Sequence, residues 1–127
     1  MSPAELVTGL SHIGVRVSDY GRALAFYELL GFRHAWGPGG PDQVAAVRHP
    51  SGLEINFIVN GLAGAPNVLM DVGEKHPGFT HIALKIENVA AMEAALGAAG
   101  VEITGRRGAA ALFVRDPDRN VVELAAD

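Results

Sequence analysis

Two stretches of this 127-residue chain repeat one another at a fixed distance, and that repeat limits the possible folds more than any other feature. His12 and His81, Asp19 and Asn88, Gly31 and Gly100, and Glu54 and Glu123 are each separated by 69 positions. An internal repeat of this kind means that one supersecondary unit occurs twice and that the copies bury their apolar faces together. Leu10–Ser18 alternates Ile13, Val15 and Val17 with His12, Gly14 and Arg16, the period-2 pattern of a strand with one apolar face. Asp19 is a suitable N-cap for a helix carrying Leu24, Phe26, Tyr27 and Leu30, and Gly31 ends it. Strands are expected at about 32–36, 43–49 and 53–59, separated by the turn signals Gly-Pro-Gly-Gly-Pro and His49-Pro50-Ser51-Gly52. From Phe79 the order begins again: a strand over 79–87, a helix from Asn88 to Gly100, and strands near 101–104, 110–114 and 121–125.

The chain therefore reads as a single α+β domain, residues 1–127, made of two βαβββ modules (about 8–60 and 78–127) joined by a Gly- and Pro-rich connector, 61–77. The modules form a curved mixed sheet around a central cavity. At 49% hydrophobic residues the chain can build a core of its own. With no cysteine, any metal must be held by imidazole nitrogen and carboxylate oxygen. The net charge of −4, without a basic block, speaks against nucleic acid or an anionic membrane as partner and leaves a small-molecule substrate. No secretory leader or membrane span is evident, which predicts a cytoplasmic protein.

Four residues do not suit a core. His12 and His81 begin the outward face of the first strand of each module, and Glu54 and Glu123 stand among apolar neighbours on the last strand. A buried carboxylate is costly unless paired or bound to metal. Together they supply two nitrogens and two oxygens for one divalent ion, so His12, Glu54, His81 and Glu123 are the expected metal ligands. Arg16, Asn56, Lys85 and Arg107 are candidates for substrate binding; an arginine fork suits a carboxylate. His34, His49 and His76 read as structural or surface residues. The 69-residue offset returns at the carboxylates despite an apparent difference in turn length before the last strands. A single open half-barrel pair, or two chains exchanging halves through the connector, would each complete the cavity, which predicts a homodimer, swapped or unswapped, whose site can combine His12 and Glu54 of one chain with His81 and Glu123 of the other.

HIGVRVSDYGRALAFYELLGF, FTHIALKIENVAAMEAALGAAGVEI and FVRDPDRNVVEL resemble the vicinal oxygen chelate superfamily, also called glyoxalase/bleomycin resistance/dioxygenase proteins, over nearly the whole chain. Within it, the His, Glu, His, Glu set is most similar to glyoxalase I (lactoylglutathione lyase). That resemblance implies a lyase or isomerase that converts the thiol hemithioacetal of an α-ketoaldehyde to a 2-hydroxyacyl thioester by proton transfer. It implies one divalent metal ion per site, with Ni, Co or Zn favoured over Mn or Fe, with Glu54 and Glu123 as catalytic carboxylates and Arg16 as a thiol-substrate contact. The alternatives of the same fold are methylmalonyl-CoA-type epimerases, with a similar four-ligand site, Fe(II) extradiol dioxygenases, which need only two His and one carboxylate, and drug-sequestering proteins. Two departures stand out: Ile58 lies where glyoxalase I carries an asparagine, and Arg119 lies where the turn before the last strand has glycine.

Overall fold

The computed structural model describes residues 1–127. After a one-turn helix α1 (Pro3–Leu6), the first module comprises β1 (Ile13–Arg16), α2 (Tyr20–Leu29), β2 (Arg33–Gly39), β3 (Val44–Arg48) and β4 (Glu54–Ile58). The second comprises β5 (Ile82–Lys85), α3 (Val89–Ala98), β6 (Gly105–Arg107), β7 (Ala111–Arg115) and β8 (Val121–Ala125). Each module forms its own four-stranded mixed sheet, in the order β1-β4-β3-β2 and β5-β8-β7-β6. β1 runs parallel to β4 and β5 parallel to β8, and the remaining pairs are antiparallel. The sheets are open, as two βαβββ units require.

The same local chemistry places both helices. Asp19 accepts a hydrogen bond from the Arg22 N–H at 2.8 Å, and Asn88 accepts one from Ala91 at the same distance, so each helix begins on a capped free amide. Gly31 (φ +94°) and Gly100 (φ +75°) end them in the left-handed region that glycine enters at little cost. At Gly31 a β-carbon would also stand 2.9 Å from the His49 ring.

The two modules share one core. Tyr27 and Phe26 from α2, Phe57 and Ile55 from β4, Leu96 from α3, and Leu112, Val122 and Leu124 from β7 and β8 lie in a single cluster. A polar latch ties the modules together. The Tyr27 hydroxyl donates to the Asp116 carboxylate at 2.9 Å, and the Ser18 hydroxyl and N–H both donate to Asp118, at 2.5 and 3.1 Å. Burial raises the pKa of Asp116 against the bonds from Asn120, Tyr27 and Asp118, and burial followed by the nearby Asp116 raises that of Tyr27.

The connector has no helix or strand, as expected, but it is pinned at several points. Gly61 donates to the Val17 carbonyl at 3.0 Å, an approach that a β-carbon would obstruct. Asn67 donates its N–H to the Asp118 carbonyl, and Asp71 accepts from both Arg115 and Arg119. These bonds, Arg119 first, hold the Asp71 carboxyl well below its ordinary range. Arg119 does adopt the left-handed conformation (φ +65°) expected of a residue in a glycine position, with its guanidinium tied to Asp71.

Two strands differ from what the sequence suggests: β2 runs on to Gly39, into the expected Gly-Pro-Gly-Gly-Pro turn, and one strand of the second module lies elsewhere. The second strand of the second module is Gly105–Arg107, not 101–104. Val101 donates back to Leu96 at the end of α3, so 101–103 is a packed lead-in, and pairing with β7 starts only at Thr104.

Candidate metal centre

Alternation along the strands sets which side chains share a face. On β4, Ile55 and Phe57 are buried in the core while Glu54, Asn56 and Ile58 lie on the opposite face. On β1, Gly14 and Arg16 are exposed and Ile13 and Val15 partly buried, which places His12, one residue earlier, with Gly14 and Arg16. In the second module His81, Ala83 and Lys85 share a face in the same way.

The His81–Glu123 pair is the best-formed element of the site. His81 Nε2 lies 3.0 Å from Glu123 Oε1, and Arg107 donates to the other carboxylate oxygen, Oε2, from Nη2 at 2.7 Å and Nε at 3.1 Å. Glu123 is only 6% exposed, so the arginine supplies the countercharge that a buried carboxylate requires. Arg107 in turn donates to Asp127 through Nη1 and Nη2. Its fork is thus engaged by the chain's own carboxylates, whereas the sequence suggests a clamp for substrate.

His12 and Glu54 stand in the other module. Glu54 is opposite Arg48 across the β3–β4 ladder and accepts from its Nε at 2.8 Å. No three of the chain's histidines, aspartates and glutamates gather within ligating reach of one another. Within one chain, then, the four expected ligands remain as separate sets, one per module.

Strand register corrects the pairing inferred from the 69-residue offset. Ile13 pairs with Ile55 and Gly14 with Asn56, while their counterparts Ile82 and Ala83 pair with Val122 and Glu123. On the last strand the modules therefore correspond at an offset of 67, and the counterpart of Glu123 is Asn56, not Glu54. The turns before these strands are equal in length: His49 N–H bonds to Leu53 O at 2.9 Å, and Asp116 N–H to Asn120 O at 3.0 Å. The two extra residues of the first module lie between α2 and β3, where β2 shifts register against β3 at His34/Trp36 and again at Trp36/Gly39. The Asn56 side-chain oxygen is buried without a hydrogen-bond partner.

Both histidines and Arg16 line a cavity of about 960 Å³ between β1, β5 and the connector, with Leu10, Leu62 and Phe79 at its apolar edge. Arg16 is held there by a chain of polar contacts: its Nε donates to Asn60, and Asn60 donates to Asp42. Lys85 holds the place of Arg16 in the second module, pairing with Ala125 as Arg16 pairs with Ile58, but it lines a separate, smaller cavity of about 390 Å³. Ser11 and Thr80, which the sequence reading passes over, each place a hydroxyl on the Nδ1 of the following histidine, at 2.9 and 2.8 Å. The signal was available as a hydroxyl residue before each His at the same 69-residue offset.

These residues suit a divalent ion. Both imidazoles are held by Nδ1, so Nε2 would be the atom available to a metal, and Glu123 is fixed through Oε2 with Oε1 towards His81. Such outer support is typical of metal-binding histidines and carboxylates.

Residues 9–124 match the family model described as the glyoxalase/bleomycin resistance protein/dioxygenase superfamily. Among proteins of curated function, none matches the sequence. Solved structures do. A glyoxalase/dioxygenase from Nostoc punctiforme is 19% identical with a TM-score of 0.75, over 100% of this chain and 95% of that one. A glyoxalase family protein from Enterococcus faecalis is 26% identical with a TM-score of 0.72, over 92% and 96%. A glutamate-to-glutamine mutant of FosX, a fosfomycin resistance protein from Listeria monocytogenes, complexed with Mn(II) and dihydroxypropylphosphonic acid, is 21% identical with a TM-score of 0.70, over 95% and 93%. No helix is long and apolar enough to cross a membrane. On the matched span and the paired βαβββ sheets together, the chain belongs to the glyoxalase/bleomycin resistance protein/dioxygenase superfamily.

Proposed function

We propose that this chain is a metal-dependent isomerase of the glyoxalase I type, with a site made by two copies of the chain, in which the two glutamates have different tasks. The observation that carries this reading is the strand register. It sets Asn56 opposite Glu123 in the repeat and leaves Glu54 as a second carboxylate on the same face as Asn56. His12 of one copy with His81 and Glu123 of the other form a two-nitrogen, one-oxygen set for a divalent ion, with positions left for substrate. A divalent ion held there would supply Lewis acidity to the substrate, and one glutamate ligand instead of two would leave it net positive charge.

The remaining roles fall to side chains. Arg16, with Nε committed to Asn60, offers its two terminal nitrogens to an anionic end of the substrate. Glu54, with Oε1 held by Arg48, has Oε2 free to accept the carbon-bound proton of the hemithioacetal and return it to the adjacent carbon. The carbon skeleton is isomerised to a 2-hydroxyacyl thioester with no external oxidant.

The homodimer rests on exposed surface. Only 20 of 127 residues are buried, few for a domain of this size, and Phe79, Leu62 and Leu10 stand in solvent beside the cavity. A second copy would cover them and bring the two ligand sets together.

The test is metal analysis of the purified protein, then assay of the metal-free form reconstituted with Ni, Co, Zn, Mn or anaerobic Fe(II) on methylglyoxal hemithioacetals. Glu54→Gln should abolish isomerisation while keeping metal affinity within about tenfold, the lower edge of the effect of a lost supporting contact. Full activity in that variant would overturn the assignment of the base. A second reading follows from the same register. A single carboxylate beside two histidines is also the ligand set of Fe(II) oxygenases, and oxygen consumption with Fe(II), unchanged in Glu54→Gln, would move the function there.

A further inference from the structure

The hydroxyls that precede the two histidines occupy matching places in the two modules. Ser11 Oγ is 2.9 Å from His12 Nδ1 and Thr80 Oγ1 is 2.8 Å from His81 Nδ1. All four residues are exposed, and neither hydroxyl makes another hydrogen bond. We propose that Ser11 and Thr80 are positioning residues of the metal centre, each hydroxyl holding its neighbouring imidazole by Nδ1 in both the metal-free and the metal-bound state. The inference rests on the metal reading above and adds to it the device that keeps each ring aimed.

The reason for a hydroxyl lies in which ring nitrogen carries the proton. In the metal-free chain His81 Nε2 faces Glu123 Oε1 at 3.0 Å, and an ionised carboxylate only accepts. In the neutral ring Nε2 therefore carries the hydrogen, and Nδ1 accepts from the Thr80 hydroxyl. A divalent ion at Nε2 would leave the neutral ring's single proton on Nδ1, where the Thr80 hydroxyl would turn to accept it, so the Nδ1 bond would survive with its direction reversed. A backbone carbonyl or carboxylate at Nδ1 could serve only the metal-bound tautomer. Glu123 does not drift when His81 leaves it, since Arg107 retains Oε2.

The experiment is a zinc competition titration with a chromophoric chelator on wild type, Thr80→Val, Thr80→Ser, Ser11→Ala and Ser11→Thr, with circular dichroism as a check of folding. Loss of the hydroxyl should weaken zinc binding about 10–100-fold, the range for lost outer support of a ligand. Thr80→Ser and Ser11→Thr should remain close to wild type. If Thr80→Val fails to fold, Ser11→Ala, in the exposed segment before β1, carries the test alone. Undiminished zinc affinity in the hydroxyl-free variants overturns the proposal. Absence of zinc binding in wild type overturns the metal reading itself, a separate result. Nitrogen NMR of the imidazoles gives an independent readout: His81 should carry its proton on Nε2 without zinc and on Nδ1 with it. A ring already protonated on Nδ1 in the metal-free protein would refute the reversal.

Discussion

The two modules have the same strand order, the same caps and the same turn before the last strand, yet they differ at the one place where chemistry is expected. In the second, Glu123 is flanked across the ladders by Ala83 and Phe113, is almost fully buried, and is held by His81 and Arg107. In the first, Asn56 is flanked by Gly14 and Ala46, and the carboxylate has moved two residues along the same face to Glu54, where it pairs with Arg48. In the second module the carboxylate is buried between His81 and Arg107, and in the first it is partly exposed and paired with Arg48 alone. A second asymmetry runs through the turns. The DPDRN turn reaches back to Tyr27 and Ser18 of the first module, while the corresponding His49 packs within its own module, against Phe32. Duplication set the frame, and each copy then took on the contacts the other lacks.

This comparison can be broken by exchange of residues. The largest effect is expected for Glu123→Gln, which removes the only carboxylate beside His81 and leaves Arg107 partly unpaired. Zinc affinity by competition titration should fall by roughly a hundredfold or more, beyond the range for outer-sphere contacts. A loss no greater than that of Glu54→Gln would show that the modules are equivalent after all. Asn56→Ala tests the opposite corner: it removes a buried, unpartnered amide oxygen, so chemical denaturation should show little stability lost, below about 1 kcal/mol. A larger loss would mean that the amide is satisfied by a contact made only in the assembled protein.

Smaller effects bear on the latch and the connector. Tyr27→Phe deletes one donor to buried Asp116 and should cost about 1–3 kcal/mol in urea unfolding. For Asp71 the direction with pH follows from its lowered pKa: its contribution is present above the unfolded carboxylate value and is lost as pH falls through the folded one. Wild type should therefore lose more melting temperature than Asp71→Asn on acidification below about pH 4. The pair is exposed, so the difference should be modest. Parallel melting curves would remove the connector clamp from the account.

Much of the fold was legible because its determinants are local. Alternating apolar residues, Asp19 and Asn88 as caps, and Gly31 and Gly100 as stops each act within a few positions, and all of them occupy the places the sequence assigns. The carboxylate register was not legible. Glu54 and Glu123 share a spacing with the histidines, but ladder pairing is decided by hydrogen bonds between distant strands, and bulges at His34–Gly39 moved the register by two without leaving a mark in the apolar pattern. The partners of Arg107 were hidden for a related reason: nothing near it in sequence says that Glu123 and Asp127 lie beside it. The hydroxyls of Ser11 and Thr80 were visible as a repeated pair, and their meaning emerges only once the ring nitrogens have positions.

The bulges in β2 also bear on how such a duplicated chain can diverge. β2 is the edge strand farthest from β1 in its sheet, so length added there is absorbed at the rim and leaves the central β1–β4 pair undisturbed. Insertions can accumulate along that outer hairpin, remodelling the periphery and what it meets, while the inner strands keep their alignment. In such an architecture the edge is free to drift under selection and the centre is not, which lets new outer surfaces be tried around an inherited site.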